Sequence, residues 1–170
     1  MKILTEHSSA VISTDGVYRY WLHRRWKTLN PEKTAIFVML NPSTADEKTD
    51  DPTIRKCIKF ADKFGCDRLS VVNLFGLRVT NPDELSGHLN PVGPNNDLHL
   101  NICFETNKKS LVIFAWGNQG KLNQQDERVR QLAYKAGITP FAFGFNKNGT
   151  PKHPLYQPDN QALFAMPVTQ

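Results

Sequence analysis

Cysteine is scarce, with single residues at 57, 66 and 103. Their odd number and wide spacing fit neither a disulfide framework nor a CxxC metal knuckle, so they read as reduced thiols in or near a core. Long apolar runs are missing too. The longest, residues 35–40 and 111–116, fall far below the ~20 residues that span a bilayer, and no membrane partner is expected. The opening MKILTEHSSA has too little apolar length for a signal peptide, which makes the cytoplasm the default expectation. Repeats, low-complexity tracts and linker-like stretches are also absent. What remains is an ordinary globular composition of 39% hydrophobic and 22% charged residues, with ten Phe, four Tyr and three Trp as bulky core material. A length of 170 residues fits one domain over 1–170, and a monomer is the default. Lys and Arg number 21 against 16 Asp and Glu, and the net charge of +5 permits an anionic partner such as nucleic acid without identifying one.

The beginning of the chain reads as a β-hairpin: residues 11–13, a turn at Asp15-Gly16, then aromatic and branched types over 18–23. Apolar strands and periodic helices then alternate. Residues 35–40 (AIFVML) form a continuous apolar strand of the kind buried on both faces of a parallel sheet. Asp51-Pro52 opens a helix as N-cap and first residue, with Ile54, Ile58, Ala61 and Phe64 at helical spacing up to Gly65. Further strands are expected at 69–74, 111–116 and 138–143, and further helices at about 97–107 and 124–136. The tail from Gly144, with Pro151, Pro154, Pro158 and Pro167, reads as loop. This alternation implies an α/β fold of three layers, α/β/α, with a central four-stranded parallel sheet plus the N-terminal hairpin.

Function in such sheets gathers at the carboxyl ends of the strands. There the chain places Asn41-Pro42-Ser43, residues 73–78, Trp116-Gly117-Asn118 and finally His153-Pro154-Leu155-Tyr156. The set is rich in amides and aromatics and poor in the carboxylate and cysteine clusters that metals need, so neither a metal nor another cofactor is expected. An asparagine can read a base edge or hold a water but cannot take a proton, which suits reactions whose leaving group needs the help. Hydrolysis of an N-glycosidic bond is one such reaction, because neutral donors can stabilise the departing base anion.

These motifs carry a resemblance. LNPS after the first parallel strand, the Asn in VVNLFG, AWG and a late HPLY resemble the uracil-DNA glycosylase superfamily, whose mismatch-specific branch has an N-P dipeptide after its first strand and an H-P motif near its end. YRYWLHRRW, MLNPSTAD, DDPTIRKCIKFA, NLFGLR, GPNND and KHPLY resemble, from Tyr18 to Tyr156, a family of small bacterial and phage proteins known only as a domain of unknown function. The first resemblance implies a uracil-DNA glycosylase-like fold and cleavage of the glycosidic bond of a flipped-out base, with DNA, a nucleotide or a nucleobase as partner. It implies that Asn41 holds the attacking water, that Asn73 reads the polar edge of the base, and that His153 donates to the base's oxygen. Leu155 or Tyr156 would wedge into the duplex, Ser43 and nearby amides would hold phosphate, and Pro42, Phe75, Trp116 and Gly117 would complete the base- or nucleotide-binding set.

The segment ADEKTDDPT departs from the uracil enzymes, which carry a pocket aromatic there. Its carboxylates would repel a phosphate backbone unless they face away or meet a cationic group, and Asp46 is the nearest candidate for a carboxylate base. Two alternatives follow: a non-catalytic nucleotide- or nucleic-acid-binding module, and a nucleotide-processing enzyme using Asp46 or Asp51 with Mg²⁺. Structural readings stand beside the functional ones. Asn-Pro-Ser also makes a plain turn, Asn73 also serves as a sheet-end hydrogen-bonder, and Trp116 reads first as core. The cluster Arg19, Trp21, His23, Arg24, Arg25, Trp26 reads as an edge hairpin with its charges in water, although one of its arginines, or Arg78, remains available to a phosphate in the cleft.

Overall fold

Strands with apolar side chains on both faces need a helical layer on each side, and the order of elements supplies it. A computed structural model describes residues 6–27 and 32–166; residues 1–5, 28–31 and 167–170, including Pro167 of the expected tail, lie outside the described residues. The strands are β1 (His7–Ile12), β2 (Arg19–Arg25), β3 (Thr34–Met39), β4 (Arg68–Asn73), β5 (Leu111–Phe114), β6 (Phe141–Ala142) and β7 (Phe164–Ala165). The helices are α1 (Pro52–Lys63), α2 (Asn96–Thr106) and α3 (Gln125–Lys135), with short 3-10 segments at Pro82–Gly87, Asn118–Gln124 and Pro154–Tyr156.

All seven strands join one sheet in the order β1-β2-β4-β3-β5-β6-β7. Its centre, β4-β3-β5-β6, is parallel, as the sequence pattern predicts, whereas the β1-β2 pair on one side and β7 on the other are antiparallel. The hairpin is therefore no appendage: β2 pairs with β4, Leu22 against Val71.

Alternate residues of each strand feed separate cores. Ile36, Val38, Val72, Val112 and Phe114 pack with Leu100, Phe104, Val129 and Ala133 of α2 and α3. Ala35, Phe37, Met39, Val71 and Ile113 pack with Ile54, Cys57, Ile58, Phe60 and Ala61 of α1. The Asp51 carboxylate caps α1 by accepting from the Ile54 N–H at 2.8 Å, and Gly65, at φ +75, turns the chain out of it. All three cysteines are buried and free, and desolvation pushes the Cys66 thiol up to about 11 and Cys103 to about 12.

Two expectations need correction. The last parallel strand is two residues long rather than the expected 138–143: Pro140 offers no N–H to a ladder, and the Ile138 N–H still serves the end of α3 by donating to Ala133 O at 3.0 Å. The tail is not all loop, because Phe164–Ala165 pairs antiparallel with β6. Two residues carry no periodic signal, and only the neighbouring strand specifies them. No helix among the described residues is long and apolar enough to cross a membrane.

Candidate functional site

From β3 the chain runs through α1 to β4 on one side, and then through α2 to β5 on the other. The loops leaving β3 and β5 therefore part, and such a switch point opens a crevice at the carboxyl ends of the strands. A cavity of about 1030 Å³ occupies it. Of the residues named from sequence, Asn41, Ser43, Asn73, Trp116, Gly117, His153, Leu155 and Tyr156 line it together.

Asn73 ends β4 and is 1% exposed, and neither its Nδ2 nor its Oδ1 has a hydrogen-bond partner. Burial of an unpartnered amide costs about 1–3 kcal/mol, and here a donor and an acceptor lie side by side without partners. The backbone behind it is rigidly held. Asn96 Nδ2 donates to Asn73 O and to Leu74 O, both at 3.0 Å, and Gln125 Nε2 donates to Leu74 O at 3.1 Å. The cavity wall also takes Met39 and Val71 from the α1 face of the sheet and Trp116 from the far side. Trp116 is core, 1% exposed, and its Nε1 is likewise buried without a partner.

His153 stands at the start of the 3-10 turn Pro154–Tyr156 and caps it: its Nδ1 accepts from the Leu155 N–H at 3.3 Å. A ring nitrogen that accepts from an amide carries no proton, so the neutral ring holds its hydrogen on Nε2. Burial pushes the imidazole down to about 4, against the opposing pull of Asp51, and the ring is neutral at pH 7. Gly117 brings this segment to the strand ends. At φ +78 it takes a conformation that disfavours side chains, its N–H donates to Pro151 O at 2.9 Å, and a Cβ there would lie 3.6 Å from His153 Cβ. Asp159, hydrogen-bonded by Lys56 at 2.6 Å and by Lys59, ties the segment down on α1. Tyr156 packs against His153 with ring centroids 5.6 Å apart but remains 79% exposed, beside Leu155 at 37%.

Asn41 is half-buried, and its Nδ2 donates to Pro42 O at 2.9 Å and to Val79 O at 2.8 Å. The amide clamps two loops, which fixes the side chain and leaves Oδ1 as the acceptor it can offer a water.

The acidic segment meets cations. Arg24, 1% exposed, donates through Nε to Asp50 at 2.8 Å and through Nη2 to Asp46 O, and Arg19 Nη1 donates to Ala45 O at 2.5 Å. The expectation that the hairpin's charges lie in water therefore fails for these two arginines, because the loop's carbonyls and carboxylate give them partners inside the fold.

Other sequence candidates lie elsewhere. Asp46 does not line the cavity; its Oδ1 accepts from the N–H groups of Lys48 (2.8 Å) and Thr49 (2.9 Å), making a local turn and holding the carboxyl below its usual range. Pro42 and Phe75 are buried next to the site rather than in it, and Arg78 Nη1 donates to Gly16 O at 3.1 Å in the hairpin turn. The carboxylate that does line the cavity is Asp51, with the cations Arg19 and Lys152. Burial lowers the Arg19 guanidinium to about 10, with Asp51 opposing, so it stays cationic at neutral pH. In the sequence Asp51 is a helix cap and a possible magnesium ligand; only the fold shows that a cap at the start of α1 also lies in the crevice. Among the described residues no group of three His, Cys, Asp or Glu side chains is placed to hold a metal ion.

No curated protein and no solved structure matches the chain. A family model described as "Protein of unknown function (DUF1643)" matches residues 19–155 and so covers most of the strands, all three helices and every cavity residue singled out above except Tyr156; the chain belongs to this family.

Proposed function

We propose that the cavity receives a flipped-out nucleobase and that the chain is a glycosylase of uracil-DNA glycosylase-like architecture, hydrolysing the N-glycosidic bond. The observation that carries this reading is the pairing, in one cavity, of an unpartnered buried amide at Asn73 with a neutral His153 whose proton sits on Nε2. An amide presents one donor and one acceptor, the complement of the lactam edge of an oxidised or deaminated base. As the C1′–N bond breaks, its electron pair passes to the base, and the Nε2–H of His153 donates to the anion that develops there. The sugar moves toward an oxocarbenium ion. Asp51 sets a negative charge near that cation and accepts the proton of the water that adds to C1′, while Asn41 Oδ1 orients that water. Tyr156 and Leu155 at the cavity mouth are suited to fill the gap left in the duplex.

The test incubates the protein with oligonucleotides carrying uracil, hypoxanthine, mismatched thymine or modified pyrimidines, and reveals abasic sites by alkaline cleavage with and without EDTA. Cleavage at one base, insensitive to EDTA, with a loss of order 10² to 10³ in rate for His153→Ala and for Asn41→Ala, is expected. Unchanged base release in both variants refutes the roles. Tight base binding with no abasic product refutes catalysis in favour of a binding module, and activity abolished by EDTA favours a magnesium-dependent reaction.

A further inference from the structure

Arg19 is a buried cation that the proposed chemistry leaves unused. It is 2% exposed, it lines the cavity, and its Nε is shielded from solvent without a hydrogen-bond partner. Among the described residues it forms no ion pair: Nη1 donates to Ala45 O, and the charges of Asp51 and Asp46 act on it from a distance, offset by Arg78 and Arg24.

Its direction is set by a bulge. Pairing between β1 and β2 passes from Val11 opposite Trp21 to Ile12 opposite Arg19, which leaves Tyr20 as an extra residue. Leu22 and Arg24 face the α1 side of the sheet, where they meet the α1 core and the 46–50 loop. Strict alternation would put Tyr20 on that side and Arg19 on the other. Instead Tyr20 stacks on His99 of α2, centroids 5.0 Å apart, and Arg19 enters the α1-side cavity beside Met39, Val71 and Asn73. A bulge that re-aims one side chain into a site is a specific device, because it interrupts the ladder to do so.

We propose that Arg19 is the anion subsite of this cavity, so that its ligand is a base-like heterocycle carrying an oxyanion, either an acidic ring substituent or the phosphate of a nucleotide, beside the edge met by Asn73. The inference rests on the base-binding reading of the cavity and adds the charge of the ligand to it. A neutral base leaves the guanidinium with its contact to Ala45 O and no counter-charge, whereas a carboxylate or phosphate takes charge-assisted hydrogen bonds from its remaining donors. Such bonds correspond to a preference of about tenfold to a hundredfold over a neutral counterpart.

Calorimetric titration of the full chain tests it with four probes: uracil, 5-carboxyuracil, deoxyuridine and deoxyuridine 5′-monophosphate. Preference for 5-carboxyuracil over uracil identifies a ring acid, and preference for the monophosphate over deoxyuridine identifies a nucleotide phosphate. Either preference, of at least tenfold, is expected to vanish in Arg19→Met and to persist in part in Arg19→Lys, which keeps the charge if loss of the Ala45 contact unfolds the methionine variant. Equal binding of acidic and neutral probes, or a preference that survives in folded Arg19→Met, overturns the anion subsite. Probe affinities that are unchanged in Asn73→Leu while the acid preference persists overturn the base reading and leave the subsite standing, and failure of all four probes to bind overturns both.

Discussion

Replacing Asn73 by leucine should stabilise the unliganded protein. The side chain is 1% exposed, and both of its amide atoms are buried without partners, so folding strips them of water and returns nothing. That loss is about 1–3 kcal/mol for an unsatisfied buried polar group. Leucine has the same branching at Cγ, carries no polar atom, and finds Met39 and Val71 along the same wall. Its extra volume can enter the cavity rather than the packed core. For a chain of this size 1 kcal/mol corresponds to about 2–4 °C in Tm, so the expected rise is about 2–12 °C, with a higher urea midpoint at unchanged slope. Differential scanning calorimetry and urea unfolding of Asn73→Leu against the parent measure it. A lowered Tm would refute the reasoning, because it would mean that the native amide is satisfied inside the fold. A stabilised variant would mark Asn73 as a residue retained at a cost in stability.

Two further outcomes follow from the geometry. His153 has its imidazole lowered from 6.5 to about 4, so between these values the folded state binds fewer protons than the unfolded chain; stability therefore falls as pH drops through that window, by about 3 kcal/mol at its end, and urea midpoints of His153→Gln should decline less steeply than the parent's. A parallel decline in the two proteins would show that His153 is not buried neutral. Gly120→Ala would drive a Cβ into the indole edge of Trp116; a loss of about 1–3 kcal/mol in denaturant unfolding is expected, and an unchanged midpoint would show that the 118–124 segment shifts away freely.

Periodicity carried most of the fold. The run AIFVML, the Asp51-Pro52 start, the spacing of Ile54, Ile58 and Ala61, and the stop at Gly65 each express a local rule, so β3 and α1 were legible residue by residue. The sheet edges were not. The two-residue strands β6 and β7 have no period of their own, and the antiparallel docking of β2 on β4 is a long-range pairing that the hairpin's own residues do not encode.

The candidate site divides along the same line. Asn41, Asn73 and Gly117 stand at or just after the ends of parallel strands, which any such sheet gathers at one edge, so their convergence follows from the order of elements; His153 lies well past β6 and is brought to them by the contact of Gly117 with Pro151. Which carboxylate and which cation joined them was decided by tertiary structure. The sequence marks Asp51 as a helix cap and Asp46 as the nearer base, but Asp46 closes a surface turn, while the helix that Asp51 caps starts in the crevice. The sequence named Arg78, or one unspecified arginine of the hairpin, for the cleft; one extra residue in β2 turns Arg19 inward, while Arg78 reaches the hairpin turn. Local sequence sets the period of a strand or helix, but the phase of that period against a neighbour, and hence what an arginine or a carboxylate faces, depends on contacts between residues far apart in the chain.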